Sequence, residues 1–239
     1  MRPDDARPVL LRRSGPVLPF ADPARAAGNL VAVGGDLRQE RLLQAYSQGI
    51  FPWFGEGDPI LWWSPDPRGV FSPGRIHVSR SLRKAGRSAV WRFSVDEAFP
   101  AVLDACAAPR AGQGGTWITA DMRRAYLGLF YAGHAHSLEV WSGAMLAGGL
   151  YGVAMGGLFF GESMFSRVPD ASKLALVLLA RHLQHWGYGL IDTQFLTPHL
   201  ESMGAEELPR EEFLARLRDL RAAPVDHRWQ LTLPLSQVF

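Results

Sequence analysis

The chain has 239 residues, 47% hydrophobic and 20% charged, with a net charge of +2. That is enough apolar material for one large or two modest domains. The longest apolar stretch, Leu174 to Ala180, is far too short to cross a bilayer, and the start of the chain mixes Arg and Asp without an apolar segment. No membrane span and no secretory signal are therefore expected. The single cysteine, Cys106, cannot form an internal disulfide, so a cytoplasmic location is expected.

Residues 1–70 form a first region rich in Pro, Gly and Trp. It carries one helix, from about Leu37 to Gln48, with Asp36 as N-cap and Gly49 as stop. The runs Ile50–Phe54 and Ile60–Trp63 read as short strands or packed loops around a turn at Gly55–Pro59. Residues 71–239 form a second region with a more regular pattern. It begins with a basic helix around Arg80–Arg87. The spacing then predicts helices from Asp96 to about Ala108 and from just after Thr119 to about Tyr131. Three strands follow, His136–Trp141, Met145–Ala154 and Gly157–Phe160, with turns at Ser142-Gly143 and Met155-Gly156. After a polar loop come an apolar helix over Ala171–Trp186, a strand over Leu190–Gln194 and an amphipathic helix over Arg210–Arg221. Helices, an antiparallel meander, a further helix and a further strand describe an α+β domain.

Two features carry chemistry. Between Pro67 and Val95 lie seven basic residues and no acid, leaving 18 basic against 23 acidic residues elsewhere. Arg80, Arg83, Lys84 and Arg87 recur at helical spacing on one face. Such a face is either solvated or bound to a polyphosphate such as RNA, and the spacing alone supports both. The second feature is Glu162 and Arg167 after the apolar run Gly157–Phe160, followed by Asp192 and Gln194 on the run Leu190-Ile191. In a strand, the i, i+2 spacing points the Asp192 and Gln194 side chains to one face. Polar groups at the ends of buried strands are costly unless partnered, so they are either satisfied core pairs or a polar site in an apolar pocket. Two such clusters flanking one helix favour a site.

Seven motifs narrow the reading: Gly34-Gly35-Asp36-Leu37, Gly49-Ile50-Phe51-Pro52-Trp53-Phe54, Trp62-Trp63-Ser64-Pro65-Asp66-Pro67-Arg68, Gly115-Thr116-Trp117-Ile118-Thr119, His134-Ala135-His136-Ser137, Gly161–Arg167 and Ala171-Ser172-Lys173. In this order, from about Asp22 to Phe213, they resemble the leucyl/phenylalanyl-tRNA–protein transferases. The resemblance implies a GNAT-like acyltransferase domain behind a small N-terminal α+β domain. It implies transfer of Leu or Phe, with Met a further donor, from aminoacyl-tRNA to the α-amino group of proteins beginning with Arg or Lys. That places the chain in the bacterial N-degron pathway as a monomer. Thr193 departs from the family, where many members have Cys, but its side chain is expected to face away from Asp192 and Gln194.

The residues themselves agree with a tRNA donor better than with a CoA donor. A CoA pyrophosphate is usually cradled by a Gly-rich turn at a helix N-terminus. The corresponding Ser166–Ser172 turn has no glycine and contains Asp170. The Arg80, Arg83, Lys84 and Arg87 helix offers instead a distributed phosphate surface suited to an acceptor stem. An aminoacyl-tRNA is already an activated ester, so no ATP, metal or other cofactor is expected. The histidine pairs His134/His136 and His182/His185 lack Cys or acidic partners at ligand spacing.

Within the resemblance, Asp192, Gln194 and Glu162 are the expected catalytic residues. Gln194 would accept from and orient the amine, Asp192 would stabilise its positive charge, and Glu162 would recognise the basic N-terminal residue or its ammonium group. Trp53, Trp117, Tyr46 and Tyr126 are candidates to stack the terminal adenosine, with core packing the competing reading for the two tyrosines. Leu150, Phe159, Met164 and Leu179 are candidates for the apolar side-chain pocket, although each alone reads equally as core. Two other classes stay open: a tRNA-dependent transferase acting on another amine, such as a peptidoglycan precursor, and a non-catalytic tRNA-binding module.

Overall fold

The computed structural model describes residues 7–109, 116–225 and 228–239. Gly115, which opens one motif, lies outside the described residues. The first region folds as a small sheet in the order β1-β2-β4-β3. β1 (Val9–Leu11) runs parallel to β2 (Leu30–Gly34), α1 (Gln39–Tyr46) follows, and β3 (Phe51–Pro52) pairs antiparallel with β4 (Leu61–Trp63). Helix α1 starts at Gln39, and Asp36 is not its N-cap. The Asp36 carboxylate instead accepts the Arg38 backbone N–H at 3.0 Å and pairs with the Arg38 and Arg41 side chains. A carboxylate with two guanidiniums in reach gains more from charge-assisted bonds than from one cap N–H.

Strand β5 (Arg68–Phe71) straddles the expected boundary at residue 70 and belongs to the larger sheet. After it come α2 (Arg80–Gly86), β6 (Trp91–Val95), α3 (Phe99–Ala107), α4 (Ala120–Tyr131), β7 (Ala135–Ser142), β8 (Met145–Met155), β9 (Leu158–Ser166) and α5 (Ala171–His185). Then follow β10 (Leu190–Gln194), α6 (Pro198–Ser202), β11 (Glu206–Leu208), α7 (Arg210–Arg221) and α8 (Leu235–Val238). Thr119 and Ser79 cap α4 and α2 with their side-chain oxygens, as their residue types allow. The expected polar loop after Phe160 is confined to residues 167–170: β9 runs on through Gly161–Ser166, paired to β8. Pairing with a buried neighbour strand outweighs the polar composition of this segment.

The large sheet has the order β11-β5-β10-β9-β8-β7-β6. Only β9 and β10 are parallel neighbours in it, and α5 is the crossover between them. Side chains alternate across the sheet and build two cores. Tyr151 and Phe160 face the side covered by α3, α4 and the small sheet; Leu150 and Phe159 face the side covered by α5. Helix α5 is apolar nearly all round because the sheet, α2 and the segment around α8 enclose it. The result is an α+β fold with helices on both faces of the sheet.

Candidate active site

The site is a gap between two strands that begin as partners. β9 and β10 pair only at Leu158↔Leu190, Phe159↔Ile191 and Phe160↔Asp192. Beyond that point β9 stays with β8, while β10 turns away. Each strand carries a bulge at the parting. Against β8, Tyr151 pairs with Ser163 and Gly152 with Gly161, so Glu162 is the extra residue on β9. Against β5, Val70 pairs with Asp192 and Gly69 with Gln194, so Thr193 is the extra residue on β10. A bulge re-aims side chains that regular alternation would fix. Gln194 follows in the left-handed region at φ 61°. Gly69 is required here, since a Cβ would lie 2.5 Å from the Phe195 carbonyl carbon.

The gap holds an inner cavity of about 130 Å³ and an outer cleft of about 680 Å³. All four residues expected to form the apolar pocket, Leu150, Phe159, Met164 and Leu179, line the inner cavity, together with Leu176 and Ile191. A dry apolar cavity of roughly 150 Å³ accommodates one benzene ring, so this space is scaled for a single apolar side chain. Trp53 and Trp117 line the outer cleft, with Phe51 and Phe195. Trp53 is 44% exposed and tilts against Phe195 at 5.6 Å between ring centroids. Glu162 and Gln194 border both spaces.

Tyr46 and Tyr126 do not form a stacking platform. Both are fully buried, so no base can reach their ring faces. They turn their hydroxyls to Glu162 instead: Tyr46 Oη is hydrogen-bonded to Oε1 at 2.8 Å and Tyr126 Oη to Oε2 at 2.7 Å. Burial pushes the Glu162 carboxyl up to about 7; the two hydroxyls hold it back, Asp192 adds to the rise and Arg68 opposes it. Burial likewise raises the Tyr46, Tyr126 and Tyr151 hydroxyls well above their usual range.

Asp192 and Gln194 do not share a face, because the bulge at Thr193 breaks the alternation. Thr193, expected to point away, lines the inner cavity beside Gln194. Asp192 lies beneath, fully buried and lining neither space. Arg68 grips it through two bonds, Nε to Oδ1 at 2.7 Å and Nη2 to Oδ2 at 2.6 Å, and the Gln194 N–H donates to Oδ1 at 2.9 Å. With its charge already matched, Asp192 is not free to stabilise an incoming ammonium. It fixes the bulged backbone from below. The Gln194 side-chain Nε2 is buried and has no hydrogen-bond partner among the described residues.

Arg68, counted above as part of a basic segment, is a core residue. It is fully buried, its guanidinium lies over Phe51 and Phe213 at 4.9 and 4.5 Å, and Nη1 donates to the Gly49 carbonyl. Its sequence signal is an arginine opening an apolar strand, Arg68-Gly69-Val70-Phe71, in a chain with an unmatched strand aspartate elsewhere. Phe195 and Leu200 carry no such signal in the sequence; both are placed by the turn that leaves β10.

Arg80, Arg83 and Lys84 project from α2 into solvent, while Leu82 anchors the helix in the α5-side core. Arg87 caps the helix rather than extending it, and its Nε donates to the Phe239 carbonyl at 2.6 Å. Among the described residues no group of three or more His, Cys, Asp or Glu is placed to hold a metal ion, and no helix is long and apolar enough to cross a membrane.

Known proteins include clear sequence relatives of this chain. Residues 70–218 match the family described as leucyl/phenylalanyl-tRNA protein transferase, and residues 35–66 match its N-terminal domain. A leucyl/phenylalanyl-tRNA–protein transferase of Thiobacillus denitrificans is 60% identical over 195 residues, covering 82% of this chain and 86% of the relative. One from Nitrosomonas europaea is 58% identical over 199 residues, covering 83% and 84%. Among solved structures, L-PGS from Bacillus licheniformis overlaps at TM-score 0.40 with 12% identity, covering 72% of this chain and 57% of that one. A GCN5-related N-acetyltransferase from Kribbella flavida overlaps at 0.37 with 11% identity, covering 75% and 63%. Overlaps this loose carry no argument about activity. The sequence relationships do: the chain is an aminoacyltransferase and belongs to the leucyl/phenylalanyl-tRNA protein transferase family.

Proposed function

We propose that the protein moves Leu or Phe, and Met as a further donor, from aminoacyl-tRNA to the α-amino group of proteins beginning with Arg or Lys, marking them for N-degron degradation, and that it works as a monomer in the cytoplasm. The observation that carries this reading is the inner apolar cavity opening onto an aromatic cleft, with Glu162 and Gln194 at the junction. The donor's side chain enters the cavity among Leu150, Phe159, Met164 and Leu179. Its terminal adenosine lies on the wall made by Trp53, Trp117 and Phe195, since stacking suits an unpaired base. The ester carbonyl is then left at the junction.

A free α-amino group has a pKa of about 7.7–8.0, so a useful fraction is nucleophilic near neutral pH. Positioning it against the ester therefore supplies much of the acceleration. Gln194 orients the amine, and Asp192, locked by Arg68, keeps Gln194 in its bulged conformation. Arg80, Arg83 and Lys84 carry acceptor-stem phosphates. Purified protein given radiolabelled Leu- or Phe-tRNA should label an Arg-initiated peptide without ATP or added metal. Acetylation of that peptide from acetyl-CoA, with none from charged tRNA, would overturn the reading.

A further inference from the structure

Glu162, Tyr46 and Tyr126 form a closed triangle of oxygen contacts. Its sides are Tyr46 Oη to Glu162 Oε1 at 2.8 Å, Tyr126 Oη to Glu162 Oε2 at 2.7 Å and Tyr46 Oη to Tyr126 Oη at 2.5 Å. All three are hydrogen-bond distances. Each tyrosine supplies one proton, and a carboxylate supplies none. Two protons satisfy only two sides, so an ionised Glu162 leaves two lone-pair oxygens pressed together on the third. A protonated Glu162 removes the conflict. Its O–H donates to one tyrosine, that tyrosine to the other, and the second tyrosine back to the free carboxyl oxygen.

The surroundings agree. The charged and titratable groups facing the triangle are Tyr46 from α1, Tyr126 from α4, Tyr151 from β8, Asp192 from β10 and Arg68 from β5, with His199 of α6 across the cleft. Arg68, the one cation among the described residues that acts on the Glu162 carboxyl, is committed to Asp192 through two bonds. Glu162 forms no ion pair among the described residues. Desolvation, the largest influence on its carboxyl, favours the neutral form.

We propose that the Glu162–Tyr46–Tyr126 ring stores a proton at neutral pH and exchanges it during acyl transfer. The second half of this rests on the function proposed above. As the amine nitrogen bonds to the ester carbon and the bond to the ribose oxygen breaks, Glu162 gives its proton to the departing oxygen. The resulting carboxylate then takes a proton from the newly bonded nitrogen. Proton count is conserved and the ring is restored. Glu162 is thus a proton carrier, not the charge anchor for a basic N-terminal residue that its residue type suggests.

The test uses Glu162→Gln, whose amide reproduces the donor and acceptor of a protonated carboxyl but cannot exchange a proton. Infrared difference spectra at pH 7 should show a protonated-carboxyl band in the wild type that is absent from Glu162→Gln and shifted in Tyr46→Phe. A carboxyl whose folded pKa is raised stabilises the fold below its unfolded value and loses that contribution as pH rises through about 7. The wild-type melting temperature should therefore fall, relative to that of Glu162→Gln, between roughly pH 4.5 and 7. Acyl transfer by Glu162→Gln should drop by about 100-fold or more, the usual size of a missing general acid–base group. A missing band, or a wild-type melting temperature that does not fall relative to that of Glu162→Gln over this range, overturns the stored proton. Equal transfer rates for wild type and Glu162→Gln overturn the exchange. A wild type that shows the band but transfers nothing supports the stored proton and removes the transferase reading instead.

Discussion

Asp192 and Glu162 are carboxylates on adjacent strands, and the fold treats them in opposite ways. Asp192 is sealed beneath the site and held by a guanidinium with two bonds. Glu162 stands at the junction of cavity and cleft, held by two neutral hydroxyls and, among the described residues, by no cation. One is a fixed charge that positions backbone; the other is a group whose protonation is set near neutrality by burial. Neighbouring titratable groups in environments this different have divided the work, the ion pair shaping the site and the neutral cluster handling protons.

The comparison breaks hardest at the ion pair. Arg68→Met leaves a buried carboxylate without a partner and should cost about 3–5 kcal/mol of stability, read from urea unfolding. Adding Asp192→Leu should restore part of that loss, because the buried charge is gone while the Gln194 N–H loses its acceptor. A single-variant loss below about 1 kcal/mol would mean that the pair is hydrated in solution.

Next in size is Gly69→Ala. The added Cβ meets the Phe195 backbone at 2.5 Å, so the bulge that presents Gln194 must move. We expect about 1–3 kcal/mol of destabilisation by overpacking, with transfer activity falling further than stability alone explains. Unchanged activity in a folded Gly69→Ala protein would show that the Thr193 bulge is dispensable.

Leu179→Phe sharpens the picture of the inner cavity by filling it. Discrimination between donor side chains that differ by a few carbons is worth about 1–3 kcal/mol, so the ratio of Leu to Phe transfer should rise about tenfold or more. Equal transfer of both donors by this variant would place the side-chain pocket elsewhere.

The smallest effects belong to α2, farthest in character from the buried pair. Neutralising Arg80, Arg83 and Lys84 together should weaken tRNA binding and flatten the dependence of log K on log salt. The slope should shrink by about 0.7–0.9 for each phosphate that the helix no longer neutralises. Arg87→Gln should change that slope less, since its guanidinium is bonded to the Phe239 carbonyl. A minimal aminoacyl-adenosine donor should be used equally well by all of these variants.

Much of this is legible from composition and period. Helix α7 is expected over Arg210–Arg221 and spans those residues; α5 is expected over Ala171–Trp186 and ends one residue earlier. Leu150, Phe159, Met164 and Leu179 are expected in one pocket and meet there. Such elements rest on neighbours in sequence, where propensity, capping and amphipathic period act within a few residues. The polar stretch Gly161–Ser166 reads as a loop and is a strand, because its strand character comes from its partner β8.

By itself, then, the sequence determined the run of elements from α3 to β10, the apolar lining and, through its motifs, the family. Only the tertiary structure decided which groups surround Asp192 and Glu162. Arg68 reaches Asp192 across 124 positions, and Tyr46 reaches Glu162 across 116, so neither partner leaves a local pattern. The two bulges that aim Glu162 and Gln194 exist only in the pairing of separate strands. Local signals fix what a short segment becomes. The electrostatics of a buried carboxyl depend on which distant side chains surround it, and only the packed chain supplies them.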